Sequence, residues 1–349
     1  MKVSKLASPY LNVRLKPDGA KIGRAIPGSD LTVLSIENNW AKLPLYVGDS
    51  LIIGNAYVNA AYLENPLPPP PLISKFQLGL HVMSNANIAS AEAQKGCRYF
   101  MIMDNFLGAH QIKTAFPDAT VMVRKYIRNR VPPEDMVRAL EVYPESRLVY
   151  TGHNESDVIG TSPEAIVERA KFDIALATLI KKIAPNAKYA AGTFSRGEPD
   201  ITNPKINEAI ASAYAPAFNS GLIDWDQHTY SSTKGISDFD KDWLLRRWEF
   251  LFTYCNFNPS RIGSIYMGET GLDNGAVKGF PGLGITQEEF TAWCARAMQV
   301  FTTPMVIGGV SYPSPVVGGA IFQIGGNGDP QWNSFDVSGY TESLRRFYA

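Results

Sequence analysis

The chain has few of the residues from which metal centres and disulfide frameworks are built: three cysteines and four histidines in 349 residues. Cys97, Cys255 and Cys294 are scattered with no Cys-x-x-Cys pair, so reduced, partly buried thiols are expected rather than a zinc ribbon or a disulfide scaffold. There is no His-x-His pair and no His-Glu-x-x-His helix to hold a catalytic zinc, and nothing in the sequence asks for a cofactor. Net charge is also missing. With 33 basic and 33 acidic residues the formal charge is zero, which offers a polyanion no footprint and argues against nucleic acid as a partner. No apolar run approaches a membrane span, and the opening Met1-Lys-Val-Ser carries none either, so a soluble chain without a membrane partner is expected. No Gly-x-Gly-x-x-Gly turn follows a strand, which removes the main sign of a dinucleotide-binding open sheet.

What is present is enough apolar residue, 45%, for a large core, and three regions of different character. Residues 1–64 hold short strand-like segments punctuated by turns: Leu11-Asn-Val-Arg14, Asp30 to Ser35, Asn38 to Leu43 and Ala56 to Leu63. That pattern predicts a small all-β barrel. Residues 65–72 carry Asn65-Pro-Leu-Pro-Pro-Pro-Pro71, a polyproline spacer that marks a domain boundary. From residue 73 to 349 strands and helices alternate. Strands are expected at Gln77–Met83, Arg98–Met103, Thr120–Arg124, Arg147–Gly152, Lys188–Thr193, Ile223–His228, Ile262–Met267 and Gly319–Ile324. Between them lie helical stretches, clearest from Ser162-Pro163 onward, at Trp243–Tyr254 and at Gln287–Phe301. Eight strands with intervening helices in this length predict an α/β fold, a (β/α)8 TIM barrel preceded by the small all-β domain.

With the strands placed, polar residues collect at their C-terminal ends: His81, Asp104, Arg124, His153-Asn154-Glu155, His228, Tyr230 and Glu269. Two stretches share one build. Leu148 to Glu155 and Ile262 to Gly271 are each an apolar strand running into a glutamate. The C-terminal strand ends of such a barrel surround one cleft, where glutamates remote in sequence can face each other. A pair of carboxyl groups is what glycosidic cleavage needs, one to protonate the leaving oxygen and one to attack or to activate water.

The first 64 residues resemble the bacterial SH3 family in the Leu-Asn-Val-Arg opening, the central Trp40 strand and the closing Tyr57-Val-Asn-Ala-Ala-Tyr-Leu63. That family implies a cell-wall or protein-binding accessory module; a cap on its neighbour is the alternative. Residues 73–349 resemble the clan A glycoside hydrolases, retaining TIM-barrel enzymes, in Asn-Glu after the fourth strand, His-x-Tyr after the sixth and Gly-Glu-x-Gly after the seventh. The resemblance implies Glu155 as general acid/base, Glu269 as nucleophile, and Asn154 on the sugar 2-hydroxyl. It also implies that His228 and Tyr230 orient the nucleophile and that Arg124 keeps it ionised; His81 and Asp104, by their places at the ends of the first and second strands, are further candidate binding residues. The sequence departs from that pattern at Ser156, where proline is common, and at the eighth strand, which lacks a terminal tryptophan; Trp332 is the candidate platform in its place. A carbohydrate partner follows, a polysaccharide or a cell-wall glycan including peptidoglycan, and with it an extracellular or wall-associated setting. Two other classes stay open. A metal hydrolase would gather His81, Asp104, His153 and His228 around one ion. A non-catalytic glycan-binding barrel would show its two glutamates far apart, or one of them turned into a salt bridge.

Overall fold

The computed structural model describes residues 2–3, 11–14, 16–17, 19, 21–25, 35–37, 40–47, 51–59, 63–64, 76–83, 86–127, 129–154, 162–275, 278–325 and 330–348. The proline stretch Asn65–Pro71 and Glu155 lie outside these residues. By its internal contacts the chain falls into two compact units, residues 1–73 with 306–312, and residues 74–305 with 313–349.

Among the described residues the regular structure of the first unit is β only. Five antiparallel strands pair in the order Lys21–Ala25, Leu11–Arg14, Leu51–Asn59, Trp40–Val47, Ser35–Glu37, and Lys2–Val3 pairs with Leu63–Glu64. Ala41 and Val58 sit opposite each other on neighbouring strands, both fully buried. Residues 306–312 group with this unit, and Met305–Ile307 pairs with Val310–Tyr312 as a two-stranded hairpin. Its two-residue turn, Gly308-Gly309, has φ of 56° and 80°, which a primed hairpin turn requires and glycine supplies without steric cost.

The second unit is a closed barrel of eight parallel strands. They are β1 Gln77–Met83, β2 Tyr99–Met103, β3 Thr120–Arg124, β4 Val149–Thr151, β5 Lys188–Phe194, β6 Asp224–Gln227, β7 Ile265–Leu272 and β8 Val316–Ile324. Neighbours pair in chain order, β8 pairs with β1, and β6 pairs with β7 to close the ring. The (β/α)8 expectation is met. Inside the ring Tyr99, Met101, Met122, Val149, Ala190, Tyr266 and Ala320 form one buried cluster, so the barrel is filled and not a pore. Glycine makes room for the largest of these. A Cβ on Gly79 would lie 1.8 Å from the Tyr99 carbonyl oxygen, and one on Gly318 would lie 2.3 Å from its ring.

Helices follow most strands: α1 Ala86–Gln94, α2 Phe106–Ala115, α3 Pro133–Ala139, α4 Pro163–Ile183, α5 Pro204–Ala213, α6 Ala215–Ser220, α7 Glu249–Tyr254 and α8 Gln287–Thr302. α4, Pro163–Ile183, begins at Ser162, whose side chain accepts from the Ala165 N–H at 3.1 Å. α8, Gln287–Thr302, opens with a reciprocal Thr286–Glu289 capping box. The single helix expected over Trp243–Tyr254 is instead broken into a π-helical turn, Asp240–Leu245, and a short α7, Glu249–Tyr254. Arg246, at the break, donates to the carbonyls of Val300 and Thr303, each at 2.8 Å, and of Pro304 at 3.0 Å. Its buried guanidinium thereby satisfies one carbonyl in the last turn of α8 and two just past its end, which would otherwise lack an intrahelical partner.

Candidate active site

Two strands run further than their sequence suggested, and this shapes the site. β7 continues past Met267 to Leu272, and after β6 the chain resumes as Thr229–Ser231, paired with Thr270–Leu272. Glu269 is therefore inside a strand and not in the loop after one. Simple alternation from Tyr266, which lines the interior, would send Gly268 inward and Glu269 outward. The β7–β8 register shifts between Met267 and Thr270, and this irregularity turns Glu269 toward the axis as well. On β6 the alternation is regular, so Asp226, His228 and Tyr230 share the inner face while Trp225 packs among Phe194, Tyr214 and Phe257 outside it.

Arg124, the last residue of β3, is the hub. One Nη2–H donates to Glu269 Oε1 in a short charged hydrogen bond, and Nη2 also lies 3.4 Å from His81 Nε2. Nη1 donates to Asn154 Oδ1 at 2.6 Å and lies 3.2 Å from His228 Nε2. The other Glu269 oxygen, Oε2, accepts from the Tyr230 hydroxyl at 2.7 Å and lies 3.5 Å from His228 Nδ1. With a proton on Nδ1, His228 can donate toward Glu269 Oε2 at 3.5 Å, and its Nε2 faces Arg124 Nη1. Beneath it, Asp226 Oδ1 accepts from the Gly268 N–H at 2.7 Å and Oδ2 lies 3.9 Å from His228 Nε2. The chain after Tyr230 is pinned by Asp240, which accepts from Ser232 N, Ser232 Oγ and Thr233 Oγ1, all at 2.6 Å.

Burial and charge divide these groups. Burial works against an ionised Glu269, but His228, Arg124, His81 and the Tyr230 hydroxyl together hold its carboxyl well below the usual range. Burial pushes Asp226 up to about 6 against the opposing pull of His228 and the Gly268 N–H. Burial also drives His81 down to about 3, helped by Arg124 and His228 and resisted by Glu269, so its imidazole is neutral near pH 7. The result is a charged carboxylate with fixed donors at the C-terminal end of the barrel.

Of the residues singled out in the sequence, the structure brings together Arg124, Asn154, His228, Tyr230, Glu269 and His81. Trp332 adjoins them through an aromatic group: Tyr230, Phe322 and Phe335 pack together and Trp332 lies against them, its ring 5.6 Å from that of Phe322. Asp104 is tied elsewhere, accepting from the Tyr126 N–H at 3.1 Å and pairing with Lys125 at 3.1 Å. The His153 ring packs at a tilt against Phe172, 4.7 Å between ring centres, with Nε2 beside the Val131 backbone, so the four groups of the metal reading do not converge. Among the described residues no group of three or more metal-ligating side chains is present. Glu155 lies outside the described residues. Two residues escaped the sequence reading. Phe322 lies two residues before the end of β8 with its ring 4.8 Å from His81, and its only sign in the sequence is its place near a strand end that lacks a tryptophan. Asp226 was hidden inside a run read as a buried strand, although the alternation Asp226, His228, Tyr230 could have placed it.

No family model matches the chain, and no curated protein matches it. Among solved structures, similarity extends to ZgEngAGH5_4 in complex with a cellotriose, with a TM-score of 0.49 and 10% identity over 82% of this chain and 99% of that one. It extends also to a family 39 glycoside hydrolase from the gut symbiont Bacteroides cellulosilyticus WH2, with a TM-score of 0.46 and 14% identity over 97% of this chain and 76% of that one.

Proposed function

We propose that the protein is a retaining glycosidase acting on a polysaccharide or cell-wall glycan, with Glu269 as nucleophile and Glu155 as general acid/base. The observation that carries the reading is Glu269 itself, a carboxylate held ionised at the C-terminal end of β7 by Arg124, Tyr230 and His228. In the first step a Glu269 oxygen attacks the anomeric carbon while the Glu155 carboxyl gives its proton to the departing glycosidic oxygen. In the second, Glu155 takes a proton from water as that water displaces Glu269. This requires the two carboxyl groups to stand roughly 5 to 5.5 Å apart. Asn154 already accepts from Arg124 through Oδ1, so what it offers a sugar hydroxyl is its amide N–H. Phe322 and Trp332 supply the apolar wall on which a sugar ring can lie. The first unit, SH3-like in sequence, serves to hold the enzyme on an insoluble wall or polysaccharide.

The test is a hydrolysis screen over soluble and insoluble glycans, peptidoglycan included, on the intact protein. On a confirmed substrate Glu269→Ala abolishes turnover, and azide restores part of it as a glycosyl azide of inverted configuration. Glu155→Ala slows substrates with poor leaving groups far more than activated aryl glycosides. Near wild-type rates in both variants would overturn the assignment.

One observation favours the second reading, a barrel that binds glycan without cutting it. Both Glu269 oxygens are engaged, one of them in a salt bridge, and the residue is 4% exposed. Saturable glycan binding with no product from any substrate in the screen would decide for it.

A further inference from the structure

The carbonyl oxygen of His153 is the acceptor at the peptide that leads into Asn154, and two elements converge on it, α4 through Arg169 and β5 through Thr193. Arg169, buried on α4, donates from Nη2 to His153 O at 2.6 Å and to Thr193 Oγ1 at 2.8 Å. Thr193 Oγ1 lies 2.7 Å from the same carbonyl and can donate to it. Thr193 reaches it from a left-handed backbone, φ 48°, which a β-branched residue seldom occupies, in a stretch where the β5–β6 register shifts between Gly192 and Phe194. Behind Arg169 the fully buried Asp173 carboxylate accepts from Arg169 Nε at 3.2 Å, Tyr189 at 2.6 Å and Tyr214 at 2.8 Å. Gly152 lets β4 pack close against this group, since a Cβ there would lie 2.5 Å from the Tyr189 hydroxyl. A buried ion pair is a poor way to gain stability alone, and a strained threonine costs some. Both are spent on one peptide plane.

We infer that Arg169 and Thr193 are positioning residues that clamp the His153 carbonyl and so set the direction in which Asn154 leaves β4. Asn154 is then fixed from two sides, by this clamp through its backbone and by Arg124 through its side chain. The catalytic part of the inference rests on the glycosidase reading; the clamp does not.

The informative variant is Thr193→Gly, which removes the hydroxyl while suiting the left-handed backbone, and therefore folds. Thr193→Ser is the rescue. Backbone 15N relaxation of the full chain, resolved at Asn154, reads the clamp: the order parameter falls from about 0.85 in the wild type and Thr193→Ser to below about 0.6 in Thr193→Gly. On a glycoside substrate kcat falls at least tenfold in Thr193→Gly with KM unchanged, more steeply for poor leaving groups than for activated aryl ones. An Asn154 amide that stays rigid in Thr193→Gly overturns the clamp. A mobile Asn154 with an unchanged kcat overturns its catalytic role. A mobile Asn154 in a protein whose wild type cleaves no glycan supports the clamp and removes the glycosidase reading instead.

Discussion

Asp226 and Glu269 face the same imidazole from below and above and are driven in opposite directions. Both are buried, but only Glu269 has a guanidinium on it, and so Glu269 keeps its charge while Asp226 resists ionising. The consequence for stability has a definite sign. The Asp226 carboxyl is raised from 3.8 to about 6, so the native state retains a proton that the unfolded chain gives up within that window. Its contribution is complete below about pH 4 and is lost as the pH rises through about 6. Glu269 is depressed, so what it contributes is present above its ordinary value and is lost on acidification, outside most of that window. Asp226→Asn, which cannot ionise yet can still accept from Gly268, should therefore gain on the wild type in urea midpoint between pH 4 and pH 7. A difference between the two proteins that is constant with pH would contradict this account.

β6 and β7 show where sequence patterns stop being informative. The strands β1 and β3 have the limits their sequence predicted because each is a short apolar run ended by polar residues. β7 was cut at Met267 because Gly268-Glu269-Thr-Gly271 reads as a loop, yet those residues stay in the sheet by pairing with Thr229–Ser231. That pairing joins segments forty residues apart in sequence, and no local pattern announces it. The grouping of Arg124, His228 and Tyr230 around Glu269 was suggested by a family likeness together with strand ends. The Arg169–Asp173 pair had no such sign, since a charged i, i+4 pair on a helix ordinarily faces water. The strand pairing itself depends on glycine at β1. Gly79→Ala would press a methyl onto the Tyr99 carbonyl, backbone against backbone, and should cost about 3 kcal/mol or more. Gly235→Ala, with nothing near the added carbon, is the control and should stay within about 0.5 kcal/mol. Thermal unfolding of the two variants compares them directly; equal melting temperatures would show that the barrel yields more than its packing implies.

At the scale of the whole molecule the two units are not two consecutive stretches of chain. Removing residues 1–73 takes away most of the first unit and leaves its 306–312 hairpin behind on the barrel fragment. That fragment should fold cooperatively, because the barrel ring closes on itself, and it should keep whatever activity the protein has on small soluble substrates. Limited proteolysis should cut it within residues 306–312, where the full-length chain resists. If the fragment is insoluble, or if the hairpin is cut equally fast in both, the division of the molecule is other than described. Binding to insoluble glycan should weaken in the same fragment if the first unit serves for targeting. The same discontinuity governs the order of events at the ribosome. The first unit is made early but cannot be completed until residue 312 emerges, roughly 240 residues after residue 73. At translation speeds of about 5 to 20 residues per second that is a wait of roughly 12 to 48 s. During it, seven barrel strands are already outside the tunnel and only β8 is still to come. The N-terminal unit, synthesised ahead of the barrel, is thus set to reach its final form nearly last.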